Sequence, residues 1–255
     1  MTAMQIRVSG HGSHVVVVTV DNQAKMNAMT RAMMADLAAL WDRLEADAAV
    51  RCIVLTGAGE RAFSAGADIS GDLSVGPEMA ATINRALLKT HAFRKPIVAA
   101  VNGTCAGGGV ELLLATDIRA AAPHARFGLP EVKWAIYPFG GATVKLNRQV
   151  GHVHALDLLL TGRMIEADEA ARLGLINRVL PAAELMPWAL ATAETIAANS
   201  PHAVQAVKQE ISAAAAEFAA GQEAREQALG DAVRASPDFA EGVAAFREKR
   251  RPNYR

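Results

Sequence analysis

The sequence predicts an α/β fold that ends in a helical segment, and three observations carry this. Apolar runs of strand length alternate with stretches of helical periodicity through the first part of the chain. From about Gly151 onward the pattern is mainly helical, apart from a short strand predicted over 176–180. Two Ser-Pro pairs, Ser200-Pro201 and Ser236-Pro237, each place a capping hydroxyl before a proline that suits the first helical position.

The elements follow in order. Residues 6–8 and 14–20, the latter with four consecutive valines, read as strands. Thr30 precedes a helix in which Met33, Leu37, Leu40, Trp41 and Leu44 recur at helical spacing. Residues 51–56 (RCIVLT) form a buried strand that ends at the turn residues Gly57 and Gly59. A helix is predicted over 78–94, stopping before Pro96, and 97–101 (IVAAV) is a second buried strand. A helix over 110–115 and a strand over 117–122 follow. Val204, Val207, Ile211 and Phe218 give the helix after Ser200 an apolar stripe. The chain therefore divides into an α/β core, 1–195, and a helical C-terminal segment, 196–255.

Bulk properties narrow the function. Lys+Arg and Asp+Glu balance at 26 each, which argues against a surface that binds nucleic acid by bulk charge. The opening MTAMQIRVSGHG has no signal-peptide pattern and no apolar run approaches bilayer length, so no membrane contact and a cytoplasmic location are expected. Cys52 and Cys105 are the only cysteines and have no CxxC spacing, and His152 and His154 point to different sides of a helix. No metal site is expected.

Two glycine-rich turns carry the chemistry: AFSAGADI (62–69) and NGTCAGGGVEL (102–112). Both follow buried strands, and the second runs into a helix. Glycines let a ligand approach the main chain, and the free N–H groups of a helix start favour negative charge near Gly108. Three glycines with Glu111 close behind suit an anion that forms during reaction. Taken alone, each turn could equally be an ordinary strand-to-helix connection. Gly57-Ala58-Gly59 lacks the third glycine of a dinucleotide turn, since Ala62 stands in its place. Ala62-Phe63-Ser64-Ala65-Gly66 approximates a serine-hydrolase elbow, with Ala for the first Gly. Cys105 reads as a small apolar filler.

AFSAGADI, NGTCAGGGVEL, FGLPEVKWAIYPFGG and LLLTGRMIEADEAARLGLINRVLP, together with the closing EGVAAFREKRRPNY, resemble the enoyl-CoA hydratase/isomerase (crotonase) family in order and spacing. The resemblance implies a spiral of β-β-α units with a helical C-terminal part that assembles trimers, often stacked as hexamers. It implies an acyl-CoA thioester substrate, coenzyme A being part of that substrate, and no other cofactor. Backbone N–H groups of Ala67 and Gly108 would form an oxyanion hole. Glu111 and Glu131, twenty positions apart in the chain (131 against 111), match the hydratase branch. By resemblance Glu111 takes a proton from water and Glu131 delivers one to C2 of a trans-2-enoyl-CoA, as in fatty acid β-oxidation. Two carboxyls in one apolar pocket fit this, because burial and mutual repulsion let one stay protonated while the other ionises.

Substrate contacts implied by the resemblance are Lys25, Ala65, Asp68, Ile69, Phe139, Phe246 and Lys249, with Lys25 offset by one from the commonest lysine position. Phe246 and Lys249 match positions that often meet coenzyme A from a neighbouring subunit. Where the family often has P-G-A-G-G, this chain reads Pro138-Phe139-Gly140-Gly141-Ala142, and the phenyl ring either narrows the acyl pocket or turns into the core. Rival readings are a 3-enoyl-CoA isomerase using Glu131, a serine hydrolase using Ser64, and a non-catalytic acyl-CoA-binding scaffold.

Overall fold

The computed structural model describes residues 5–68 and 76–254. Among them ten strands form two sheets. The larger has the order β1 (Gln5–His11), β2 (Val15–Asp21), β3 (Cys52–Gly57), β5 (Ile97–Val101), β7 (Ile118–Ala121) and β10 (Arg178–Val179). The smaller has the order β4 (Ala62–Ser64), β6 (Thr104–Ala106), β8 (Arg126–Gly128) and β9 (Met164–Glu166). Only β1–β2 and β8–β9 pair antiparallel.

Each of β3, β5 and β7 in the larger sheet is followed at once by a short strand of the smaller one. The chain thus winds as a spiral that lays one strand on each sheet per turn. Tight corners connect them: a Cβ at Gly57 would stand 2.3 Å from the Ala62 carbonyl oxygen, and one at Gly103 would stand 2.4 Å from the Arg61 carbonyl carbon. Glycine alone fits such corners.

Helix α1 (Arg31–Ala46) is capped by Thr30, whose Oγ1 accepts the Met33 N–H at 3.2 Å. It buries Met33, Leu37, Leu40, Trp41 and Leu44 against one face of the larger sheet. Trp41 Nε1 donates to the carbonyl of Ala86 at 2.8 Å, at the end of α2 (Pro77–Ala86). α3 (Gly108–Leu113), α4 (Ala142–Val150), α5 (His152–Thr161) and α6 (Ala167–Arg172) follow. α7 (Ala182–Ala198) covers the other sheet face, where Ala189, Ala193 and Ala197 let it approach Val54, Val98 and Ala100 closely. α8 (Pro201–Arg234) and α9 (Pro237–Glu248) complete the helical C-terminus. The boundary drawn at 195/196 falls inside α7.

The structure departs from the sequence expectations at several elements. The helix expected over 78–94 ends at Ala86, because Leu88 adopts a left-handed conformation (φ +49°) that no helix continues through. The helix expected over 110–115 starts two residues earlier, at Gly108. The strand expected over 176–180 shortens to Arg178–Val179, and α4 occupies a stretch to which no helix was assigned. The apolar stripe of α8 is only partly covered: Val207 and Ile211 are exposed. They line a groove of about 1040 Å³ between α8 and the sheet, which neither Glu111 nor Glu131 lines. No helix among the described residues is long and apolar enough to cross a membrane.

Candidate active site

The two glycine-rich turns meet because β4 and β6 are parallel neighbours, so the chain leaving each arrives at the same edge. A Cβ at Gly66 would lie 2.6 Å from the Gly108 nitrogen, and one at Gly108 would lie 3.4 Å from the Ala67 nitrogen. The Ala67 and Gly108 N–H groups thus come from touching segments. Gly108 opens α3, where the first N–H groups have no intrahelical acceptor. Among the described residues neither N–H donates to a backbone acceptor outside regular helices and strands.

Two asparagines that sequence reasoning gave no structural role hold this loop. Asn27 Nδ2 donates to the carbonyls of Ala58 (2.9 Å) and Ala62 (2.7 Å). Asn102 Nδ2 donates to the Gly59 carbonyl at 2.6 Å, and its Oδ1 accepts the Gly57 N–H at 3.0 Å. Asn27 has φ +56°, a conformation that asparagine tolerates better than most residues, and its place in AKMNAM was the available signal. Ser64 is fully buried; its Oγ donates to the Asn27 carbonyl at 2.9 Å and accepts the Gly66 N–H at 3.1 Å. These bonds make Ser64 a brace for the turn rather than a nucleophile. Cys105 is equally buried, and desolvation pushes its thiol well up, so it is inert filler.

Glu111 lies in the first turn of α3 with its carboxylate at the start of α4, where Oε1 accepts the Ala142 N–H at 3.2 Å. α4 has Gly141 at its N-cap and no side-chain cap of its own, so Glu111 serves as one from a distance. Gly140 makes room for it: a Cβ there would sit 2.4 Å from Glu111 Oε2. Glu131 stands in a single 3-10 turn over Pro130–Trp134, and its Oε1 lies 2.9 Å from where a Cβ on Gly107 would be. Its Oε2 is withdrawn from solvent with no hydrogen-bond partner among the described residues. The Glu131 carboxyl therefore meets the Gly107 turn, while the Glu111 carboxyl is held at Gly140 and Ala142, close enough to Glu131 for its charge to be felt there.

Their electrostatics match that setting. Burial raises the proton affinity of Glu111 above the usual carboxylate range, opposed by the Ala142 N–H and the positive charge of Lys89. Burial also raises that of Glu131, and the nearby Glu111 adds to it. Glu131 is thus the carboxyl held protonated near neutrality, while Glu111, whose partners oppose the effect of burial, ionises first.

The remaining expected site residues are spread more widely. Lys25 Nζ pairs with Asp68 Oδ2 at 2.8 Å beside the turn, and Ala65 is half-buried next to it. Ile69 lies outside the described residues. The ring of Phe139 has Lys89 Nζ 4.5 Å and the Arg234 guanidinium carbon 5.9 Å from its centre and leans on α8 at Gly230. Phe246 meets Trp134 edge-on at 5.1 Å, seating α9 on the turn that carries Glu131, and Lys249 is exposed with φ +55° at the end of α9. Within this chain the described contacts of Phe246 are thus to Trp134.

Known proteins bear on this arrangement. The profile of the family described as enoyl-CoA hydratase/isomerase matches residues 10–255. The chain is 41% identical over 254 residues to enoyl-CoA hydratase EchA19 of Mycobacterium tuberculosis, covering 94% of this chain and 93% of that one. It is 38% identical over 246 residues to the (E)-benzylidenesuccinyl-CoA hydratase of Thauera aromatica, covering 95% and 96%. Among solved structures, a carnitinyl-CoA hydratase from Mycobacterium avium superposes with a TM-score of 0.90 at 34% identity, over 100% of this chain and 99% of that one.

Proposed function

The chain belongs to the enoyl-CoA hydratase/isomerase family, and on that premise we propose that it adds water across the double bond of a trans-2-enoyl-CoA. The observation that carries the reading is a pair of buried, interacting carboxyls, Glu131 at the Gly107 turn beside Gly108 and Ala67, and Glu111 on the helix that this turn opens. Hydration of an enoyl thioester needs an anion stabiliser, a base and an acid within one substrate's reach, and the Ala67 and Gly108 N–H groups with Glu111 and Glu131 are the candidates.

In this mechanism the thioester oxygen accepts hydrogen bonds from the Ala67 and Gly108 N–H groups and gains negative charge as water attacks C3. Loss of one such donor typically costs roughly 3 to 4 kcal/mol of barrier. Ionised Glu111 takes the proton from water, and protonated Glu131 delivers its own to C2. The water oxygen ends on C3, the new C–H bond on C2, and the enolate collapses to the thioester. Coenzyme A enters as part of the substrate. Lys25, Asp68, Lys249 and Phe246 are assigned to its contacts, the last two from a neighbouring copy, and the exposed apolar stripe of α8 supports assembly as a trimer or hexamer.

The relatives named for hydration of acyl-CoAs favour this over double-bond movement. The test is a series of trans-2-enoyl-CoAs in ¹⁸O-water with mass spectrometry of the product. Hydration incorporates one ¹⁸O at C3. Positional isomers of the double bond without ¹⁸O would assign the isomerase reaction instead, and binding without turnover would leave a scaffold.

A further inference from the structure

Near Glu111 lies a buried group of charges that the hydration steps do not use. Lys89 is fully buried, and its Nζ pairs with Glu226 Oε2 at 3.0 Å across from α8. Glu226, itself buried, also accepts from the hydroxyls of Thr143 and Tyr137. Lys145, on α4, is buried too and donates to the Leu88 carbonyl at 2.6 Å. Buried lysines are rare unless something requires their charge, because an ammonium group gives up strong hydration on burial.

The geometry that sends Lys89 inward is unusual. Leu88 is a buried, non-glycine residue with φ +49°, and its turn reverses the chain after α2 so that Lys89 points into the interior. Such a conformation is strained for a residue with a Cβ and persists only where the surroundings enforce it. Gly140 and Gly141 then bring the lysine and the glutamate to one turn. A Cβ at Gly140 would lie 2.4 Å from Glu111 Oε2, and a Cβ at Gly141 would lie 3.2 Å from Lys89 Cγ.

We propose that Lys89, anchored by Glu226 and the Phe139 ring, is a positioning residue that holds Glu111 in its anionic, proton-accepting form. The charge count supports this. Lys89 and Lys145 supply two positive charges, and Glu226 and ionised Glu111 balance them; a protonated Glu111 would leave the cluster one charge in excess. The groups facing Glu111 are Lys89 from the turn after α2, Lys145 from α4, Glu226 from α8, and Tyr137 and Glu131 from the segment before α4. Glu131 has Glu111 as its charged neighbour, so it is the carboxyl that keeps its proton. The division into base and acid is thereby set by which glutamate the lysines face. This inference rests on the hydratase reading.

The test is the pH profile of kcat/KM for a trans-2-enoyl-CoA, whose acid limb reports ionisation of the base. Lys89→Met moves that limb to higher pH, by about one unit or more for a lost neighbouring opposite charge. Glu226→Gln moves it to lower pH, because the lysine then acts on Glu111 uncompensated. Lys89→Arg leaves it near wild type. The double variant Lys89→Met/Glu226→Gln strands no buried charge, so it reports even if Lys89→Met fails to fold, and its limb lies above wild type because the lysine's pull on Glu111 outweighs the repulsion from Glu226. Opposite shifts in the two single variants are the signature, since a purely structural role would lower activity without moving the limb. Limbs that stay fixed, or that move the same way in both, overturn the proposal. Infrared titration of ¹³C-glutamate protein, with Glu111 assigned by difference from Glu111→Gln, reads the same shifts without turnover. A protein that hydrates no enoyl-CoA while the infrared shifts appear would refute the hydratase reading alone.

Discussion

Glu131 reaches the glycine turn only because position 107 has no side chain: Oε1 lies 2.9 Å from where a Gly107 Cβ would be. Gly107 also holds φ +53° and ψ −126°, a region that residues with a Cβ barely enter. The same residue therefore shapes the turn and admits the acid.

Gly107→Ala follows directly. The methyl group displaces the carboxyl and strains the turn that presents Gly108. Catalytic efficiency is expected to fall on the order of 100-fold or more, as for removal of a positioned acid, with a Tm lower by several degrees. Retention of full activity in a folded variant would show that Glu131 is not held where the reaction needs it.

Glu111 has two separable duties. Glu111→Gln and Glu111→Ala both remove the base, but only glutamine keeps an oxygen on the Ala142 N–H. Glu111→Ala is expected to be less stable than Glu111→Gln by about 1 kcal/mol, the usual worth of a helix N-cap. Denaturant melts of the two variants at one pH check this, and equal stabilities would deny the cap.

Stability should fall with rising pH because of the acid. Glu131 holds its proton more tightly folded than unfolded, chiefly through burial and then through Glu111. As pH rises past about 4, the unfolded chain releases that proton first, so the unfolded state binds fewer protons and stability declines until the folded carboxyl also ionises. Glu131→Gln removes this term. Its Tm should exceed that of wild type at pH 8, at roughly 2–4 °C per kcal/mol for a chain of this size, with a smaller gap at pH 5. A gap that does not change between those pH values would contradict the assignment of a buried, proton-holding carboxyl.

How much of this the sequence revealed depends on how each element is built. β3 and β5 were legible because parallel strands covered on both faces read as unbroken apolar runs such as CIVLT and IVAAV. The start of α8 was legible from Ser200-Pro201, and Ser200 does accept the Ala203 N–H. β4, β6 and β9 have three residues each, too few for a period, so the second sheet was invisible. The end of α2 was overrun because Leu88, not glycine, makes the left-handed turn.

For the site, linked motifs pointed to Glu111, Glu131, Ala67 and Gly108; the fold sets Ala67 and Gly108 on touching segments, Glu131 at Gly107 and Glu111 at Gly140. Lys89, Lys145 and Glu226 were not legible. Charged residues on helices and in turns read as solvated, and only the tertiary fold shows that these three are buried around one glutamate. The Phe139 ring lies against Lys89 and α8, a contact that its replacement of a glycine could not indicate.

The most direct test of the central claim compares the rate of loss of enoyl-thioester absorbance, as kcat/KM, in wild type, Glu111→Gln, Glu131→Gln and the double variant. Base and acid acting on one substrate predict that each single variant loses on the order of 100-fold or more and that the double loses little beyond the worse single. Wild-type hydration that survives either substitution within a few-fold would contradict the two-glutamate site.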